Sequence, residues 1–243
     1  MRPNLTIFEN PAALADRVSD RLMEQISKSS GRRFDLAISG GSTPNFLFSA
    51  LASKYPDSVL WQKTHFWWVD ERMVPSDDPE SNFGTVQKLL ISKIDIPENN
   101  IHHIHGQADP KRESDYYADQ IQQEVPSENG SPLFDLILLG MGEDGHTASI
   151  FPEQIELMNS DRICEVAHHP VTNQARITLT GRVINNAAGV WFLVTGVGKA
   201  KRVAEIIHRT KNAPQLPASY IDPVHGELCW FLDEPASSSL SQP

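Results

Sequence analysis

The chain has 243 residues, 40% hydrophobic and 21% charged, with 31 acidic against 21 basic side chains and a formal net charge of −10. That is an ordinary globular composition. Its negative excess speaks against nucleic-acid binding through bulk electrostatics, and no lysine- and arginine-rich run suggests a membrane patch.

No stretch approaches the ~18 apolar residues of a membrane span, and MRPNLTIFENPAALADRVSD lacks the apolar centre of a secretory signal. Cys164 and Cys229 have no C-x-x-C spacing, which suits a reducing compartment. A cytoplasmic protein is expected.

In chain order, LTIF (5–8) reads as a short strand. Asn10 can cap a helix opened by Pro11, with Leu14, Val18, Leu22 and Ile26 along one face. FDLAIS (34–39) is an apolar run of buried-strand length. It leads into GGSTP, where Thr43 can cap and Pro44 can start a helix. HFWWVD (65–70) is the next strand, with Asn82 placed to cap a helix over 83–92. A histidine-bearing stretch and a polar helix near 112–124 follow.

LFDLILLG (133–140) is the most apolar strand. ICEVAH, RITLT and GVWFLVTG (189–196) are further strands, then an amphipathic helix over 197–209 and a last strand at 228–232. This alternation predicts an α/β fold: a single Rossmann-like domain over 1–233, with a mostly parallel sheet and helices on both faces. EPASSSLSQP (234–243) is expected to form a flexible tail.

Ligands of open α/β sheets sit at the carboxyl ends of strands. GGSTP, DERMVPSDDPESNFG, GEDGHT and GVGK all fall there. The third lies within LLGMGEDGHTASIFP (138–152), a literal G-x-G-x-x-G at Gly140, Gly142 and Gly145. A dinucleotide site would need Gly145 to open a continuous helix, whereas Pro152 interrupts one and Glu143 and Asp144 would repel a pyrophosphate. The glycines are better suited to a tight turn that sets Asp144 beside His146. A carboxylate orienting an imidazole is the arrangement of a general base. The plainer alternative is a capping or packing histidine.

Gly40, Gly41, Ser42 and Thr43 read as an anion cradle at a helix N-terminus, or as an ordinary cap turn. Arg72 and Lys199 can complete a phosphate site, with Arg176 a weaker candidate. Arg72 could instead pair with Glu71. Lys199 stands at a helix start, where a cation is unfavourable. Asp70 and Glu71 close a strand and can serve acid–base chemistry, and Asn82 can cap or contact a ligand. His102, His103, His105, His168 and His169 lack metal-ligand spacing, so no metal is expected.

Together these loops resemble those of the 6-phosphogluconolactonase family, within the larger group that includes glucosamine-6-phosphate isomerases. The matching segments are LAISGGSTP (36–44), WVDERMVPSDDPESNFG (68–84), DLILLGMGEDGHTASIFP (135–152), RITLT (176–180) and TGVGKA (195–200).

The resemblance implies a Rossmann-like domain without a nucleotide cofactor. It implies a sugar-phosphate lactone as substrate, and hydrolysis of 6-phosphogluconolactone in the oxidative pentose phosphate pathway by a monomer. Carried over, His146 is the base with Asp144 its neighbour, Gly40, Gly41, Ser42, Arg72 and Lys199 hold phosphate, and Asp70 is a polar site residue of open role.

Two departures bear on this. The isomerase branch typically carries a Glu where Phe151 stands, which favours the lactonase. HHPVTNQA replaces a lysine- and proline-rich stretch before RITLT. The rivals are an amino-sugar-phosphate isomerase or deaminase, and a non-catalytic sugar-phosphate sensor.

Overall fold

The computed structural model describes residues 4–29, 31–128, 130–224 and 226–240. The helix expected after Asn10 is α1, Pro11–Lys28. The Asn10 side chain accepts a hydrogen bond from the Ala13 N–H at 2.9 Å, a cap worth about 1 kcal/mol. Leu14, Val18, Leu22 and Ile26 are all buried, as their spacing requires of a helix laid on a sheet.

Seven strands make the central sheet: β1 (Asn4–Phe8), β2 (Phe34–Ile38), β3 (Thr64–Trp68), β5 (Ile101–His102), β8 (Leu136–Leu139), β11 (Gly189–Val194) and β12 (Glu227–Asp233). Their order is β1-β12-β11-β8-β2-β3-β5, and every pairing is parallel. Parallel sheets are covered on both faces. Accordingly every residue of β2, β8 and β11 is buried. Helices α2 (Ser42–Lys54), α3 (Asn82–Leu89), α4 (Pro110–Glu124), α5 (Gly181–Asn185) and α6 (Ala200–Ile207) complete the alternation.

From β2 the chain builds outward to β3 and β5, then returns to build β8, β11 and β12 on the other side. The order therefore reverses between β2 and β8, opening a crevice at their carboxyl ends. The GGSTP and GEDGHT loops leave from those two ends.

β4 (Asp70–Arg72), β9 (Cys164–His168) and β10 (Ala175–Leu179) stand apart as an antiparallel sheet in the order β4-β10-β9. The few residues between β9 and β10 can join only antiparallel neighbours, since a parallel pair needs a long crossover. A small hairpin, β6 (Ser127–Glu128) and β7 (Ser131–Pro132), is the remaining sheet.

Three local expectations need correction. Thr43 does not cap α2: Gly41 is the cap residue, and the Thr43 hydroxyl is shared with that of Thr195 at 2.7 Å. Asn82 does not cap α3: Ser81 does, its Oγ accepting from the Gly84 N–H, because the Asn82 amide is committed to Asp70. Part of the end expected to be flexible is helical. Glu234–Ser237 forms α7, Asp233 accepts from the Ala236 N–H at 2.8 Å, and Ala236 is buried. Residues 241–243 lie outside the described residues. Among the described residues, no helix is long and apolar enough to cross a membrane.

Candidate active site

A cavity of about 190 Å³ occupies the crevice between β2 and β8. His146, Asp70, Gly40, Gly41, Ser42, Thr43, Arg72, Lys199, Asn82 and Arg176 all line it. Of the residues singled out from the sequence, Asp144 stands behind this lining, in contact with His146.

The turn after β8 is built to hold that contact. His146 Nδ1 lies 2.6 Å from Asp144 Oδ1, and the same oxygen accepts the His146 backbone N–H at 3.1 Å. The Gly142 N–H donates to the His146 carbonyl at 2.9 Å and closes the loop. A Cβ at Gly142 would stand 2.2 Å from His146 Nδ1 and 2.4 Å from Asp144 Oδ1, so only glycine lets the pair form there. No helix follows Gly145; the chain turns and then runs as a 3₁₀ segment, Pro152–Asn159. The pyrophosphate-binding helix is therefore missing from the glycine motif.

Burial works to raise the Asp144 pKa, but the hydrogen bonds and charge of His146 outweigh it and hold the carboxyl at about 2. An ionised Asp144 keeps the imidazole hydrogen on Nδ1 and leaves Nε2 with a free lone pair. Phe151 is fully buried, with its ring centroid 4.8 Å from that of His146. It packs hydrocarbon against the imidazole at this position.

The cavity lining also includes basic side chains, and the Arg176 guanidinium lies over the Phe151 ring at 5.5 Å. Arg72 and Arg176 face each other across the β4–β10 ladder. Like charges directly opposite on a sheet are destabilising, which is a reason to expect an anion between them. Arg72 Nη1 donates to the Glu80 carbonyl at 2.7 Å, yet the Nε of each arginine is buried without a hydrogen-bond partner. Burial, then the charge of Arg72, pushes the Arg176 pKa down.

Glu71 does not neutralise either arginine. Its carboxylate accepts the backbone N–H groups of Arg72, Asn82 and Phe83 at 2.7–2.8 Å. Burial raises the Glu71 pKa against those bonds. Glu71 is thus an anchor for the start of α3. Lys199 is half-buried; burial pushes its pKa down, while Glu143 and Asp144 pull it the other way.

The floor is the α2 N-terminus. No side chain caps this helix, so its first amides remain available to an anion. Ser39 Oγ, also lining the cavity, is buried and unpartnered. Gly40 is required by its neighbour, because a Cβ there would meet Asn82 Oδ1 at 1.9 Å. The Asn82 amide in turn donates to the Asp70 carbonyl at 2.8 Å, tying the cradle to β4.

Two residues escaped the sequence reading. Thr195 lines the cavity at the end of β11, and its strand-end position was the available signal. Ser149 donates its hydroxyl to Asp70 Oδ2 at 2.6 Å, a contact made by folding alone. Of the five histidines without metal-ligand spacing, His103 and His105 lie together, with ring centroids 4.6 Å apart. His103 stacks on Phe83, His105 contacts Glu113 at 2.9 Å, and His169 stands edge-on to Phe151 at 5.3 Å.

Comparison with known proteins follows the same lines. The family model for glucosamine-6-phosphate isomerases/6-phosphogluconolactonase matches residues 9–230. A 6-phosphogluconolactonase of Haemophilus influenzae is 43% identical over 83% of this chain and 85% of its own. One from Synechocystis is 38% identical over 99% of each. The solved 6-phosphogluconolactonase of Trypanosoma brucei superposes with a TM-score of 0.89 at 27% identity, covering 98% of this chain and 99% of that one. The chain belongs to the glucosamine-6-phosphate isomerase/6-phosphogluconolactonase family.

Proposed function

We propose that this chain hydrolyses 6-phosphogluconolactone to 6-phosphogluconate, the second step of the oxidative pentose phosphate pathway, with His146 as general base. The observation that carries this reading is the His146–Asp144 contact of 2.6 Å at a cavity that Arg72 and Arg176, side by side on paired strands, also line. The enzyme is a carboxylic ester hydrolase acting on a sugar-phosphate lactone. Its two cysteines are free and buried, which suits the cytoplasm.

The phosphate is held by Arg72, Lys199, the Gly40–Thr43 cradle and the α2 N-terminus, with Arg176 alongside. Anchoring that remote group orients the lactone carbonyl near His146. Nε2 takes a proton from water as its oxygen bonds to the carbonyl carbon. The tetrahedral oxyanion is stabilised by nearby N–H or cationic donors. Collapse breaks the bond to the ring oxygen, which receives the proton from His146, and the acid product then ionises. One group serves first as base and then as acid because the proton it gains is the one it returns.

The isomerase alternative needs a second carboxylate beside the histidine, and Phe151 fills that place. The test is acid release from freshly made 6-phosphogluconolactone at neutral pH, with wild type, His146→Ala and no protein. Rapid opening by wild type and near-blank rates with the folded variant support the reading. If wild type tracks the blank, the lactonase reading falls and the sensor reading is taken up by measuring 6-phosphogluconate binding.

A further inference from the structure

At the β5 edge of the central sheet, outside the residues that line the cavity, His65 of β3, His102 of β5 and Glu124 at the end of α4 come together. His65 Nδ1 and His102 Nε2 are 2.9 Å apart, and His102 Nε2 is 3.6 Å from Glu124 Oε2. All three potential ligand atoms lie within 4.8 Å of one another. We propose that these residues form a surface site for one divalent transition-metal ion, separate from the catalytic cavity.

The donor set decides the class of ion. Two imidazole nitrogens and one carboxylate suit zinc, copper or nickel, whereas magnesium and calcium favour oxygen ligands. Tetrahedral zinc at about 2.0–2.1 Å from each nitrogen sets neighbouring ligand atoms roughly 3.3 Å apart. The two nitrogens must therefore part slightly and pivot toward a common point, and the carboxylate must draw in. Glu124 is exposed and His65 only half-buried, so water can complete the set from the solvent side.

His102 is already positioned. Its ring stacks on Trp67 at 3.9 Å and 9°, and Trp67 is fixed by its Nε1–H donating to Asp35 Oδ1 at 2.9 Å. The carboxyl end of a 15-residue helix lies at Glu124, and its partial negative charge favours a cation.

Arg33 is the competing cation, since its Nη1 donates to Glu124 Oε2 at 3.2 Å. It holds a second partner in Asp35 through Nε at 2.8 Å. Loading thus releases one partly exposed ion pair, a weak contact in water. The hydrogen now shared between the two nitrogens returns to the outer nitrogen of its own ring. Each imidazole keeps one hydrogen, and no net proton is released.

The test uses full-length, tag-free protein treated with a chelator and then titrated with Co²⁺ and Zn²⁺. Wild type is expected to bind one equivalent, giving the visible absorption of nitrogen-ligated Co²⁺ and a Zn²⁺-dependent rise in Tm. His65→Ala and His102→Ala should abolish both signals. Glu124→Gln, at an exposed position, should weaken binding by at least roughly tenfold, since even outer-sphere partners contribute that much. His103→Ala should bind as wild type. Lactone opening should be unchanged in all four variants. No saturable binding by wild type, or binding that persists in the His65→Ala/His102→Ala double variant, overturns the proposal and leaves the pair as a hydrogen-bonded contact.

Discussion

Ser149 donates its hydroxyl to Asp70 Oδ2 across 2.6 Å, with both residues buried. The bond crosses from the turn after His146 to the strand that carries Arg72. Ser149 is itself held by its backbone N–H donating to Thr178 Oγ1 at 3.2 Å. Asp70 thereby keeps a fixed orientation at the cavity wall, where its charge also acts on Arg176.

Replacing Ser149 by alanine leaves a buried carboxylate oxygen short of a donor. Such a loss costs about 1–3 kcal/mol. Urea unfolding of Ser149→Ala should show a lower midpoint at unchanged slope, and KM for the lactone should rise. Ser149→Thr keeps the hydroxyl and should restore KM in part. An unchanged midpoint and KM in Ser149→Ala would show that the bond matters to neither.

Asp144→Asn keeps the shape of the turn but removes the charge that orients His146. General-base catalysis contributes roughly 10²–10⁴ in rate, so the loss in kcat should be large yet no greater than that of His146→Ala. KM should change less than kcat, because of the proposed phosphate donors only Lys199 feels the charge of Asp144 directly. Steady-state kinetics of the two variants and of the double variant check this. Additive losses in the double variant would mean that the two residues act independently.

Asp144 also leaves a signature in acid. Its folded pKa of about 2 lies below the ordinary value of 3.8. A depressed carboxyl pKa stabilises the fold above the unfolded value and loses that contribution as pH falls through the folded one. Between about pH 4 and pH 2, wild type should therefore lose Tm more steeply than Asp144→Asn. The side chain is 43% exposed, so the difference should be modest. Parallel curves would show that the carboxylate gains nothing from folding.

The opposed arginines predict how the protein responds to phosphate. An anion that binds only the folded state raises Tm with its concentration. Wild type should show such a rise with inorganic phosphate, and Arg72→Gln and Arg176→Gln should reduce it. Arg176→Gln should not lower Tm in phosphate-free buffer through charge, because it removes a like-charge pair. Thermal scans with and without phosphate decide the matter. An undiminished phosphate response in both variants would place the anion elsewhere.

Much was legible in the string because local rules suffice for it. The Leu14, Val18, Leu22 and Ile26 stripe specified a helix face, and apolar runs such as FDLAI specified fully covered strands. Polar loops at strand ends marked the wall positions of the cavity, and the carboxylate two residues before His146 marked its partner. Two caps were misassigned for one reason: the Thr43 and Asn82 side chains are taken by Thr195 and Asp70, partners remote in sequence.

The sequence by itself determined the alternation of elements and which chemistry each loop carries, since periodicity and turn residues act over a few positions. Tertiary structure alone decided how those loops meet. The reversal between β2 and β8 opens the crevice, and the β4–β10 register sets Arg72 against Arg176. Ser149 reaches Asp70, and His65 reaches His102, only because packing brings together segments 79 and 37 residues apart. Such contacts depend on sheet order and strand register, which arise from burial of the whole core and leave no local trace.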